Sequence, residues 1–294
     1  MKQSLLNQTV NIKLKDDFDS KQALKTDCSA CFGLCCVALF YSRMDGFPSD
    51  KPAGKPCLDL EKNFGCRIHE ELKEKGYKGC LGYDCIGAGQ KICQVTFKGL
   101  DWRSHPNVKQ EMFDVLPIMR GLHELLWFLN DAYRFDVTKP LHQTIQALYD
   151  EVEALTLQSP EAILKLDLNA WRYKVNEVLI KCSERVRTEA VRCDKGSKGE
   201  RKIMNRGSNF MGKDMRKLNL VGANLRGALL IASNLKGCDL SGADVIGADM
   251  RDANVCEADL SLALFLTQAQ LNAAIGNNKT KIPAHLTRPS HWRK

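Results

Sequence analysis

Residues 239–263 read DLSGA DVIGA DMRDA NVCEA DLSLA, five units of five residues in an unbroken frame. Residues 219–238 carry the frame upstream as NLVGA, NLRGA, LLIAS and NLKGC. One apolar residue recurs at every fifth position: Met215, Leu220, Leu225, Leu230, Leu235, Leu240, Val245, Met250, Val255, Leu260 and Phe265. Two places before most of them stands a small residue: Ala223, Ala228, Ser233, Cys238, Ala243, Ala248, Ala253, Ala258 and Ala263. A period this short, held over eleven units, indicates a solenoid, because one unit cannot bury its apolar residue alone and must stack on its neighbours.

Outward from this segment the chain is ordinary in bulk composition. It has 294 residues, 44% apolar and 27% charged, with 43 Lys plus Arg against 35 Asp plus Glu and a formal charge of +8. Those values exclude wholesale disorder, and the length suggests roughly two domains. Its longest apolar runs are about eight residues, well short of the roughly 20 a spanning helix needs. The opening MKQSLLNQTVNIKLKDD turns polar by Asn7 and holds no apolar stretch of signal-peptide length. A cytoplasmic location without membrane association is the expectation.

The cysteines are unevenly distributed. Of 13 in the chain, nine lie between Cys28 and Cys93. An oxidised secreted scaffold is disfavoured without an export signal, and an odd total fits full pairing poorly. In a reducing compartment clustered thiols read as soft metal ligands. The pattern runs Cys28-x2-Cys31-x3-Cys35-Cys36, then Cys57, Cys66-x2-His69, Cys80-x4-Cys85 and Cys93. Short loops of this kind present two or three thiolates to one centre, and later loops complete four-coordination. Spacing alone leaves His69 and Cys93 open as further ligands.

Between the two zones the period is helical. Met112, Val115, Leu116, Met119, Leu122, Leu126 and Leu129 make an amphipathic stripe over Asn107–Asn130, with Pro117 expected to break or kink it. Leu141–Leu157 repeats the stripe, Ser159-Pro160 signals a helix start, and Asp167 opens a longer helix through Arg192. The resulting organisation is a polar arm (1–27), a cysteine-cluster module (28–100), a helical segment (101–193), a basic linker (194–212), the repeat (213–268) and a cap with a basic tail (269–294).

The repeat resembles the pentapeptide repeat family, with its A(D/N)Lxx pattern. That resemblance implies a right-handed, four-sided β-solenoid of four pentads per coil, with the apolar and small positions inside. Some members mimic duplex DNA, but residues 213–268 carry six basic and seven acidic groups and make a short tube. The thiol pattern resembles the CxxCxxCC cysteine-cluster family, described as zinc- or iron-chelating and related to a flagellin lysine N-methylase type. The matching residues are Cys28, Cys31, Cys35, Cys36, Cys57, Cys66, Cys80 and Cys85. The x3 gap before Cys35, and His69 where the family has Tyr, depart from its pattern. Both zones together, with CSACFGLCC, CIGAGQK, VTFKGLDWR and LTQAQLNAAIGN, are similar to a bacterial group associated with resistance to the nucleoside antibiotic oxetanocin A.

The predicted fold class is therefore α+β and multi-part: a cysteine-rich metal-binding module, a helical middle segment, and a C-terminal right-handed quadrilateral β-solenoid. The leading function is a metal-binding (zinc or iron–sulfur) interaction or resistance factor, with the solenoid as a docking wall for a protein partner. Two alternatives stand beside it. One is an iron–sulfur enzyme doing redox or methylase-like chemistry; the other is a nucleic-acid-associated stress factor using the basic stretch Lys181–Arg206. Gly87-Ala-Gly89-Gln-Lys91 lacks the context of a phosphate loop and reads as a tight turn. His105 and His123 have no carboxylate or serine at catalytic spacing, and no hydrolytic constellation is present.

Overall fold

Apolar residues at three- and four-residue steps fold the centre of the chain into helices. The computed structural model describes residues 23–194 and 206–292, together with residues 14, 196, 199 and 200. Most of the expected N-terminal arm, part of the basic linker and the last two tail residues lie outside the described residues. The α-helices are α1 Leu34–Ala38, α2 Lys78–Leu81, α3 Ala88–Lys91, α4 Lys109–Tyr133, α5 His142–Thr156, α6 Pro160–Leu164, α7 Leu168–Cys193 and α8 Gln268–Ala273. None of the described helices is long and apolar enough to cross a membrane. The chain divides into two units: Asp17–Tyr133 with Leu141–Leu179, and Met1–Asp16 with Arg134–Pro140 and Ile180–Lys294.

The helical unit is organised on α4, which packs against α1, α3, α5 and α6. Met112, Val115, Leu116, Met119, Leu122 and Leu129 are essentially fully buried, the stripe that the spacing predicts. Pro117 does not break this helix: α4 runs through it without interruption. The proline is exposed, so its ring falls on the solvent side while the opposite face stays packed. Ser159 caps α6 through its side chain, with Pro160 in the first turn.

The thiol-rich segment is itself seated on this apolar core. Leu34, Val37, Ala88, Ile92, Phe97 and Trp102 join Met112, Leu116 and Met119 in one cluster. Trp102 Nε1 donates to Phe32 O at 2.8 Å. The segment shares the apolar core that α4 provides.

The expectation of a C-terminal β-solenoid is corrected by the second unit. The described residues contain no β-strand or sheet, and their regular elements are helical. The repeat is a succession of tight turns in which isolated parallel bridges, most between residues 20 apart such as Asn224↔Asp244, Leu229↔Asp249 and Asp239↔Asp259, and further backbone bonds such as Gly222 N–H to Ser241 O at 2.9 Å join one pass to the next. The reason is in the pentad. Leu220 O accepts from Ala223 N–H at 3.0 Å to close a turn, and Asn219 Oδ1 accepts from Val221 N–H at 3.1 Å. Asp239 and Asp244 repeat that side-chain bond to Ser241 and Ile246. Each unit spends its residues on turning, so little extended backbone remains and no ladder can lengthen.

The turn geometry also accounts for the glycines. Gly222, Gly227, Gly237, Gly242 and Gly247 occupy one pentad position with φ between 61° and 70°, the left-handed region that a Cβ disfavours. All eleven recurring apolar residues are buried. At the end, α8 opens with a capping box in which Thr267 and Gln270 satisfy each other's backbone, and Gln270 Nε2 donates to Val245 O and Ala248 O at 2.8 and 3.0 Å.

Candidate metal centre

The eight matched cysteines come from short turns, short helices and loops of the helical unit. Cys28 lies in a short 3₁₀ turn; Cys35 and Cys36 lie in α1; Cys57, Cys66 and Cys85 follow on later loops, and Cys80 lies in the short helix α2. None is in a disulfide; Cys28 is exposed and the other seven are half-buried. Cys35 Sγ and Cys36 Sγ stand 3.9 Å apart. Cys57 N–H donates to Cys36 O at 2.9 Å, which ties the second loop to α1. Gly89 lies under two sulfurs: a Cβ there would sit 2.8 Å from Cys31 Sγ and 3.6 Å from Cys85 Sγ.

Electrostatics connects these thiols further. Burial, then the charges of Cys36, Cys57 and Cys66, push Cys80 up to about 12. Burial and Cys36 also raise Cys57, and burial with Cys36 and Cys57 raises Cys66. On the other side, Cys28 is pushed up to about 12 by desolvation, then by Cys85, Cys31 and Cys36. Its bond with Cys36 and then burial raise Cys35, with Cys36, Cys31 and Cys85 adding to the effect. Ionising Cys28, Cys35, Cys57, Cys66 or Cys80 is thus opposed by neighbouring thiols, whereas the bond from Cys35 lowers Cys36.

Cys93 joins this neighbourhood although it stands outside the family pattern. It is buried, accepts from Phe32 N–H at 3.2 Å, and its bond to Cys31 is the main reason the Cys31 thiol falls to about 7. The sequence did hold a signal: Cys85, Gly89 and Cys93 are spaced by four, so a helical turn there places them on one face. His69, by contrast, is exposed at the start of a one-turn 3₁₀ helix.

Lys51 was not anticipated. Its ammonium donates to Leu39 O at 2.6 Å, Lys55 O at 2.8 Å, Pro52 O at 3.1 Å and Val37 O at 3.3 Å, and lies 4.5 Å from the Tyr41 ring centroid. This buried cation pins the loop between α1 and Cys57, and its charge favours the thiolates of Cys36 and Cys57.

Comparison with known proteins places the chain. The family model for pentapeptide repeats matches residues 223–261, with eight copies. YybG of Bacillus subtilis (strain 168), described as an uncharacterized protein, is 52% identical over 270 residues, covering 92% of this chain and 95% of that one. The chain belongs to the YybG family of pentapeptide repeat proteins.

In this pentapeptide repeat protein the donor chemistry suits a soft metal: free thiols from separate loops, a glycine cradle under two of them, and a fixed cation beside two others. The spacing is open. Among the described residues no three His, Cys, Asp or Glu side chains stand close enough to hold one ion. The structure thus brings the thiols into one neighbourhood and into pairs, and it does not close them into a coordination sphere.

Proposed function

We propose that this YybG-family protein binds metal through Cys28, Cys31, Cys35, Cys36, Cys57, Cys66, Cys80 and Cys85, as zinc or an iron–sulfur cluster, and docks a protein partner on its repeat. The observation that carries the metal reading is the mutual opposition of these thiols. Packed together without disulfides, six of them resist ionisation singly, while Cys31 and Cys36 are favoured as thiolates by their bonds to Cys93 and Cys35, and a cation that accepts several thiolates at once removes the penalty on the six. Closing the sphere needs only loop adjustment, because the ligands sit on loops and short turns rather than in long helices. The bound metal would supply positive charge and cross-link the loops, in the way small metal modules gain folding energy. The chain's own contribution is positional. Lys51 holds the loop that carries Cys57, Gly89 leaves space for Cys31 and Cys85, and the α4 core fixes α1.

Elemental analysis with a visible absorption spectrum, on protein purified without air, tests the reading. Stoichiometric zinc in a colourless protein, or iron and sulfide in a brown one, is expected, and Cys35→Ser with Cys36→Ser lowers both metal content and melting temperature. A wild-type preparation with no metal, whose thiols all alkylate at once and whose melting temperature ignores added zinc or iron, overturns it.

A further inference from the structure

The repeat-bearing unit holds a separate cavity of about 160 Å³ whose wall includes Ser183, Glu184, Arg187, Arg206, Asn224 and Arg226. Ser183, Glu184 and Arg187 come from α7 at three- and four-residue spacing, hence from one helix face. Asn224 and Arg226 come from one pentad. Three guanidiniums face one carboxylate, and the Asp244 that pairs with Arg226 at 2.7 Å leaves the group net cationic.

Two details go beyond a basic surface. Arg187 Nε donates to Gly222 O at 3.0 Å, which fixes the guanidinium plane and keeps the terminal nitrogens for another acceptor. The Ser183 hydroxyl, on a residue only 2% exposed, has no hydrogen-bond partner. A buried hydroxyl without a partner is uncommon, and here it lines a cavity bordered by cations. Burial first, and then the like charge of Arg226, lowers the pKa of Arg187, while Asp244 and Glu184 oppose the fall. A bound anion would offset that burial penalty on the Arg187 charge.

We propose that this cavity binds a phosphate group, held by the terminal nitrogens of Arg187, by Arg206 and by the Ser183 hydroxyl, with Arg226 adding positive charge. Donors arriving from α7, from the repeat and from the segment before it suit a tetrahedral anion that accepts on several sides. The site is independent of the thiol cluster and needs no metal. Inorganic phosphate and the phosphate of a small monoester share this chemistry.

Calorimetric titration of the full chain with inorganic phosphate, adenosine monophosphate and chloride at matched ionic strength tests it. One saturable site for phosphate or the monoester, and none for chloride, is expected. Tighter binding of the monoester assigns the site to phosphorylated small molecules; equal or weaker binding assigns it to free phosphate. Arg187→Gln and Arg206→Gln should each weaken binding by about tenfold, and Ser183→Ala by a few-fold. If Arg187→Gln fails to fold, the other two carry the test, since Arg206 is exposed and Ser183→Ala deletes only an unpartnered hydroxyl. Chloride matching phosphate, or all three variants binding as the wild type does, overturns the proposal. So does binding of an RNA or DNA oligonucleotide without any response to phosphate or the monoester.

Discussion

His123 on α4 reaches across to the thiol-bearing loop, its Nδ1–H donating to Ile86 O at 2.7 Å. Ile86 lies between Cys85 and Gly87 with φ of 53°, a left-handed conformation that costs a β-branched residue about 1–2 kcal/mol. The imidazole therefore helps hold a strained loop in place. Burial, with Lys91 nearby, lowers its pKa from 6.5 to about 4 against the opposing bond to Ile86. In the unfolded chain the ring takes a proton near pH 6.5; in the fold it resists until about pH 4. The unfolded state thus binds more protons in that window, and stability falls as pH drops through it, by roughly 3 kcal/mol in all. Denaturant unfolding from pH 8 to pH 4 should show wild-type stability converging on that of His123→Gln as the solution becomes acid. Parallel profiles for the two proteins would remove this role. His123 has no carboxylate or serine at catalytic spacing and is a buried, hydrogen-bonded histidine; the loop it anchors lies 37 residues away in the chain, beyond the reach of any local pattern.

At the scale of elements, the pentad turn separates two glycines that look alike in sequence. Gly222 and Gly227 share the same repeat position and nearly the same φ, 64° and 61°. A Cβ on Gly222 would meet Arg187 O at 2.6 Å and Val191 Cγ2 at 2.8 Å, whereas one on Gly227 meets nothing within 4 Å. Gly227→Ala should therefore cost only the left-handed strain, about 1 kcal/mol, and Gly222→Ala should cost roughly 3 kcal/mol or more because backbone must move. Thermal unfolding of the two variants side by side decides it, and equal losses would show that α7 does not constrain the turn. The elements themselves were largely legible. The predicted stripe over Asn107–Asn130 is α4 at Lys109–Tyr133, and the Ser159-Pro160 signal is the start of α6. Of the break or kink expected at Pro117, the break does not occur, and the sequence does not say which face of a helix meets solvent. The repeat period was read correctly, but strands were inferred where the Asn and Asp side chains close turns instead.

For the molecule as a whole, the clustering of thiols could be read from spacing, and the relation among them could not. Cys93 and Lys51 take part through contacts 61 residues and 12 residues distant in sequence, made by packing on α4 and by a buried ammonium. Lys51 follows from no motif, and for Cys93 spacing offers a candidate without the partner it meets. The two units also differ in what holds them, and this gives a test that needs no activity. In the repeat, backbone bonds from one pass to the next, such as Leu225 N–H to Asp244 O at 2.9 Å and Asp244 N–H to Ala223 O at 3.0 Å, close on each other without help from a ligand. Around the thiols, many backbone bonds are local turns, such as Leu60 N–H to Cys57 O and His69 N–H to Cys66 O, which open readily. Amide hydrogen exchange on the metal-free chain should accordingly show weak protection across residues 28–85 and strong protection at the inward pentad residues Leu225 to Leu260. Adding zinc, or reconstituting with iron and sulfide, should slow exchange about tenfold or more in the first region and leave the second unchanged, because ligand-linked stabilisation reaches only the segments that must order to bind. Uniform slowing in both regions would mean that the metal acts on global unfolding, and no slowing in either would count against a thiolate site.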